Sequence, residues 1–210
     1  MFPLESVRLP GEGLPLRIFE PRYGALVRDC LSGAREFGVV LIAAGREVGG
    51  GDARLDVGAM AHIVNCKDLG SGRYLLECEM RERIRVTSWL DDDPYPKADV
   101  EPWPDEPGAP VTGADIGVVE DRLMEVFERI ASSQGAQLPS RQQLLGEPEP
   151  GDDAGKRLYA LAARAPMGQA DRYSVLAAPS AAARLDALRD AVETIAAMVE
   201  FQLADGGSDV

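Results

Sequence analysis

The chain has 210 residues, 45% of them hydrophobic, and a formal net charge of −13, so it can bury a sizeable core without metal or disulfide. The charge is uneven: residues 1–100 carry 13 Lys and Arg against 16 Asp and Glu, and residues 101–210 carry 9 against 19. An acidic surface of this kind repels phosphate backbones and anionic lipid, which excludes nucleic acid and membrane as default partners.

In chain order, "MFPLESVRLPGEG" lacks a basic segment followed by a long apolar run, so no signal peptide is expected. No apolar run approaches the roughly 20 residues of a membrane span, and a soluble, cytoplasmic chain is expected. In "LPLRIFEPRYGALVRDCL" (14–31), Leu14, Leu16 and Ile18 alternate as in a strand. Pro21 suits the first turn of a helix. Tyr23, Leu26, Val27, Cys30 and Leu31 then share one helical face, and Gly33 supplies a stop. "FGVVLIAA" (37–44) reads as a strand buried on both faces. The loop "GREVGGGD" separates it from two further strands, "VGAMAHIVNC" and "RYLLECEM", joined by the hairpin connection "KDLGSG". "RERIRVTSWL" (81–90) alternates again, which predicts Ile84, Val86 and Ser88 on one face and Arg83, Arg85 and Thr87 on the other. "DDDPYPKADVEPW" gives a turn and a last short strand.

"PDEPGAPVTG" (104–113) is rich in proline and glycine, and the period changes from two to that of a helix beyond it. The expected division is a strand-rich part at 1–103, a hinge at 104–111 and a helical part at 112–205. "TGAD" has capping-box form, with Thr112 as cap and Asp115 in the place of the usual Glu, ahead of a stripe of Ile116, Val119, Leu123, Phe127 and Ile130. A loop at 144–155, a helix near 153–165 ended by Ala165-Pro166 and a short helix near 169–177 follow. The longest helix comes last, where Leu185, Leu188, Val192, Ile195 and Val199 make a 3-4-3-4 seam that reads as packing within the helical part.

Catalytic and metal motifs are scarce. His62, the single histidine, sits in a strand pattern, and Cys30, Cys66 and Cys78 have neither zinc spacing nor the even number of a disulfide framework. "GDDAGK" (151–156) fails as a phosphate loop because Pro150 and Arg157 stand where glycine and Ser or Thr are required. "GGG" (49–51) lacks the strand–loop–helix context that cradles phosphate. Asp91, Asp92, Asp93, Asp152 and Asp153 read as turn and cap residues. No enzyme, cofactor or metal site is expected.

The strings "FPLESVRLPGEGLPLRIFEPRYGALVRDCL", "FGVVLI", "DVGAMAHIV" and "RERIRV" together resemble the N-terminal substrate-binding domain of Lon proteases, in the freestanding bacterial form. The resemblance implies an α+β fold, a PUA-like β pseudo-barrel followed by an α-helical lobe with a long C-terminal helix. It also implies a non-catalytic module that binds unfolded polypeptide or a partner protein, in substrate recognition or as an adaptor in proteolysis and protein quality control. The family's ATPase and Ser–Lys peptidase modules have no counterpart before Val210. The family often has a glycine where Met80 stands, which puts a glycine-dependent bulge there in question. The alternative is an RNA-binding PUA-like protein, which the charge disfavours.

"IFEPRY" reads as an architectural joint built from Glu20, Arg22, Arg83 and Arg85, with Glu20 expected to pair with Arg83 or Arg85. The alternative is that Glu20 and Arg22 contact a ligand. Polypeptide binding is expected near the junction of the two halves, through Leu14 (in the loop before the first long strand), Trp89, Tyr95, Trp103, Met167 and Tyr173.

Overall fold

The computed structural model describes residues 1–45, 53–148, 151 and 153–206. The "GGG" run and Asp152 lie outside them. The fold is α+β, and the chain divides into two compact units, Met1–Pro104 and Asp105–Val210.

The first unit contains β1 (Phe2–Leu4), β2 (Gly13–Ile18), α1 (Pro21–Ser32), β3 (Glu36–Ala44), β4 (Ala53–Asp68), β5 (Tyr74–Trp89) and β6 (Ala98–Pro102). Its strands form one mixed sheet in the order β1-β3-β4-β5-β2, with β6 also on β5. The β1–β3 pair is parallel and the others are antiparallel. β5 is the spine. β4 runs along one side of it, while β2 pairs with its first half and β6 with its second.

The segments 73–80 and 81–90, expected as separate strands, are one 16-residue strand with an irregularity inside it. Met80 lies opposite Ala61 and Arg83 opposite Ala59, so three steps on β5 match two on β4. This is a bulge at Arg81 and Glu82, and it forms with Met80 rather than glycine beside it. One extra residue turns everything beyond it to the other face. Met80 therefore packs in the main core with Leu14, Ile18, Val27, Ile63 and Leu76, whereas Ile84 and Val86 join Met1 and Val40 in a second cluster. Arg83 moves to the face of Ala59 and is buried. Arg83 and Arg85 keep the face opposite Ile84 and Val86, as the alternation predicts, but the expectation that this face points outward is corrected. The bulge makes it the face of Ala59, where Arg83 is buried and Arg85 half-buried. Ser88 is exposed after a further shift between Val86 and Ser88.

Pro21 occupies the first turn of α1 and Gly33 its C-cap, as the sequence predicts. Tyr23, Leu26 and Val27 face the main core, with Cys30 and Leu31 partly buried beside them. Gly24 is required here, since a Cβ on it would lie 2.6 Å from the carbonyl oxygen of Gly72. The bare backbone lets the first turn of α1 rest on the tip of the β4–β5 hairpin.

The second unit contains α2 (Gly113–Ser133), α3 (Arg141–Leu145), α4 (Ala154–Arg164), α5 (Gln169–Ala177) and α6 (Ala181–Gly206). The capping box before α2 is present on both sides: Asp115 N–H donates to Thr112 Oγ1, and Thr112 N–H donates to the Asp115 carboxylate at 2.9 Å. The short α3, not foreseen, starts with a second box from "SRQQ", Ser140 with Gln143. The α6 seam packs within the unit: Leu185, Leu188, Val192 and Ile195 are buried, and α2, α4 and α5 lie against the helix. Arg122 with Glu193 and Arg129 with Glu200 bridge α2 to α6, each pair 71 positions apart, so the two helices run parallel with a seven-residue step.

Candidate functional site

β1 and β2 stand at opposite ends of the strand order, yet Phe2 and Leu4 of β1 line the same groove as Pro15, Leu16, Arg17 and Ile18 of β2. The sheet therefore curls until its ends approach, and the seam between them stays open as a groove of about 200 Å³. Phe19, Glu20 and Tyr23 complete its wall, which places the "IFEPRY" joint at the seam. Phe2 packs on Tyr23 with ring centroids 4.3 Å apart and the planes tilted by 33°, so the floor is aromatic and apolar. Phe19 follows Ile18, an inward residue, and falls on the outward phase of the strand, where it stays 59% exposed.

The joint's ion pair is local. The Arg22 guanidinium donates to the Glu20 carboxylate at 3.1 Å and lies over the Tyr23 ring at 4.5 Å. The expected pairing of Glu20 with Arg83 or Arg85 is corrected. The bulge commits both arginines to Trp103, whose indole lies 4.0 Å from the Arg83 guanidinium carbon and 3.7 Å from that of Arg85. Arg83 also donates to the carbonyls of Trp103 and Pro104.

The other predicted residues fall into two groups. Leu14 is inside β2 rather than in a loop, and is buried in the main core. Trp103 and Met167 are buried as well, the first between its arginines and the second between α4 and α5. Trp89, Tyr95 and Tyr173 are half-buried. The indole N–H of Trp89 donates to Asp56 at 2.9 Å. The Tyr95 hydroxyl donates to the Asp29 carboxylate of α1 at 2.6 Å, a bond that, with burial, pushes its phenol up to about 12. The neutral phenol is thus favoured by the fold, so its stabilising effect is complete below the unfolded value near 10 and is lost as pH rises through about 12. Tyr95→Phe is expected to cost about 1 kcal/mol at neutral pH in denaturant unfolding, and to remove that alkaline dependence.

The sequence reading found the joint but not the groove. Phe19 had a usable signal, since an aromatic on the outward phase between two inward-facing runs has no core to fill. Phe2 and Leu4 had none, because their nearness to β2 depends on the curl of the whole sheet. Among the described residues, no group of three or more His, Cys, Asp and Glu side chains is placed to hold a metal ion, and no helix is long and apolar enough to cross a membrane.

Compared with known proteins, residues 1–194 match the family described as the ATP-dependent protease La (LON) substrate-binding domain. Over 97 residues, 46% of the chain, the sequence is 32% identical to Lon protease from Anaeromyxobacter dehalogenans (strain 2CP-C). It is 33% identical over 97 residues, again 46% of the chain, to Lon protease 2 from Myxococcus xanthus. The chain spans 12% of the length of each of these proteases. Among solved structures, it is similar to the Lon N-terminal domain protein from Xanthomonas campestris, with a TM-score of 0.61 and 27% identity over 90% of this chain and 95% of that one. The N terminal domain of the Mycobacterium avium complex Lon protease gives a TM-score of 0.59 at 13% identity, over 90% and 94% of the two chains, a likeness of fold alone.

Proposed function

The chain belongs to the LON substrate-binding domain family, and on that premise we propose that it is a non-catalytic polypeptide-binding module, recognising substrates for proteolysis or serving as an adaptor in protein quality control in the cytoplasm. The observation that carries this reading is the open seam, an apolar groove whose rim presents Phe19 to solvent. Its ionisable lining is Arg17, Glu20 and Tyr23, with Glu20 held by Arg22, and it offers no nucleophile–base pair of the kind covalent catalysis needs.

The groove suits an inserted side chain better than an added strand. Pro15, on the end strand β2, has no N–H to give to a chain laid along that edge. At about 200 Å³ the space is below the usual range for drug-sized ligands, and it fits the tip of one large apolar residue. Trp89, Tyr95 and Tyr173, being half-buried, are proposed as secondary contacts, while the buried Leu14, Trp103 and Met167 serve the fold.

Phe19→Ser tests the reading. With more than half of Phe19 exposed, the melting temperature should stay nearly unchanged. Affinity for a labelled, reduced and alkylated unfolded polypeptide, followed by fluorescence anisotropy, should fall about tenfold. Unaltered affinity in a folded Phe19→Ser protein would remove the groove from the proposal.

A further inference from the structure

We propose that this domain discriminates among polypeptides by charge, through a cationic strip on the outer face of the sheet that binds segments carrying acidic side chains around an apolar one. The proposal rests on the polypeptide-binding reading and names the chemistry of the partner.

The strip follows from register. Arg17 of β2 lies opposite Leu75 of β5, and Leu75 lies opposite Lys67 of β4, so the three form one row across the sheet. Directly opposed residues are about 5 Å apart at Cβ. Their neighbours Ile18, Tyr74 and Leu76 are buried, so the row points outward, and all three of its members are exposed. One step along, the Leu69 N–H donates to the Arg73 carbonyl at 2.9 Å, and Phe19 continues from Ile18, which is opposite Tyr74. Leu69, Arg73 and Phe19 therefore make a second exposed row. Arg28 of α1 lies at the same end, beside Gly72 at the hairpin tip.

The distribution of ion pairs gives the strip its meaning. Arg22, Arg54 and Arg81 of the same unit each meet a carboxylate. Among the described residues, no carboxylate pairs with Arg17, Arg28, Lys67 or Arg73, although the chain holds 35 Asp and Glu against 22 Lys and Arg. Of the nearby acids, Glu20 is paired with Arg22, while Asp68 and Glu77 accept from neutral groups, the N–H of Gly70 and the Asn65 amide, and so offset part of the strip's charge without pairing with its cations. Four cations thus surround Leu75, Leu69 and Phe19, all three apolar and exposed. At physiological ionic strength the screening length is about 8 Å. A bound segment therefore feels the charges of the strip and its immediate neighbours, where cations outnumber the carboxylates that lack a cationic partner, rather than the carboxylates elsewhere on the chain. A dense polyanion still meets the net charge of −13 as it approaches, whereas a short acidic segment with an apolar anchor satisfies both features of the strip.

The test uses extended peptides of equal length and identical apolar residues, flanked by Glu, by Lys or by Ser, in anisotropy titrations with the full chain and with Lys67→Glu/Arg73→Glu. Neither substituted residue lines the groove and both are exposed, so the variant should melt like the parent. The parent should prefer the Glu peptide over the Lys peptide by about tenfold or more, and the preference should shrink between about 50 and about 300 mM salt. The variant should lose or invert it while keeping its affinity for the Ser peptide. Equal affinity of the parent for all three peptides overturns the charge preference and leaves polypeptide binding standing. A preference that persists in the variant overturns the assignment to this strip. Tighter binding of a single-stranded RNA or of anionic phospholipid vesicles, abolished in the variant, gives the strip to another class of ligand and overturns the proposal. If the parent binds no peptide of any charge, the polypeptide-binding reading itself fails.

Discussion

Arg157→Ala is expected to destabilise the second unit by about 2–3 kcal/mol, because it leaves carbonyls without their donor and Glu120 with one arginine fewer. Its guanidinium is buried on α4, donates to Glu120 of α2 with Nε at 3.0 Å, and reaches the carbonyls of Leu145 and Gly146 at 3.1 and 3.2 Å. One side chain therefore ties α2, α4 and the C-terminal end of α3, and its loss removes a donor from two carbonyls and leaves Glu120 with Arg141 alone. Burial alone would raise the Glu120 carboxyl, but hydrogen bonds from Arg157 and Arg141 outweigh it and hold the group below its usual value. A depressed carboxyl stabilises the fold above its unfolded value, near 4.3, and that contribution disappears as pH falls through the lowered folded value. The gap between Arg157→Ala and the parent should then be widest at neutral pH and narrow in acid. Arg157→Lys should recover only part of the loss, because an ammonium cannot reproduce the fork to Glu120 and two carbonyls. Denaturant unfolding at several pH values reads all three expectations, and a pH-independent difference would mean that the pair contributes nothing specific.

Helices and caps were legible in the sequence because their determinants are local. Pro21 and Gly33 bound α1, and Thr112 with Asp115 starts α2. The 3-4 spacing from Leu185 to Val199 finds the buried side of α6. The capping box at Ser140 is equally local, and it lies in the stretch between the α2 stripe and the loop expected at 144–155, for which no element was expected.

The bulge in β5 was hidden for a different reason. The apolar residues at 74, 76, 78, 80, 84 and 86 all hold even positions, with Leu75 and Trp89 the exceptions, so the alternation reads as one face on both sides of 81–82. The extra residue at 81–82 sends the last two to another core. Nothing within the strand records that change, since it is defined by the pairing with Ala59 and Ala61 on β4. The same change carried Arg83 and Arg85 away from Glu20 and onto Trp103. The groove had the same difficulty at larger scale, because its two walls are the ends of the sheet order.

Gly58→Ala is the substitution expected to be most damaging to the first unit, and it shows how much of the curl depends on backbone contact. Gly58 lies in the middle of β4, opposite Val40 of β3 on one side and Ile84 of β5 on the other. A Cβ there would be 2.0 Å from the carbonyl oxygen of Val39 and 2.8 Å from a methyl of Val40. The first of these is backbone in a paired strand, so the clash is relieved only by moving β3 away from β4. Alanine restricts the unfolded chain more than glycine does, which by itself would favour the folded state by about 0.4–1 kcal/mol. The steric term opposes it and is larger, at or beyond the roughly 1–3 kcal/mol that overpacking a core usually costs. Moving β3 also displaces β1, which pairs with it and supplies Phe2 and Leu4 to the groove. Gly58→Ala should therefore lower the stability of the first unit in denaturant unfolding and weaken polypeptide binding together. Gly13→Ala is the matched comparison: it lies in β2, its added Cβ meets nothing within 4 Å, and it should be neutral or slightly stabilising. If Gly58→Ala melts like Gly13→Ala, the close approach of β3 to β4 does not hold the seam.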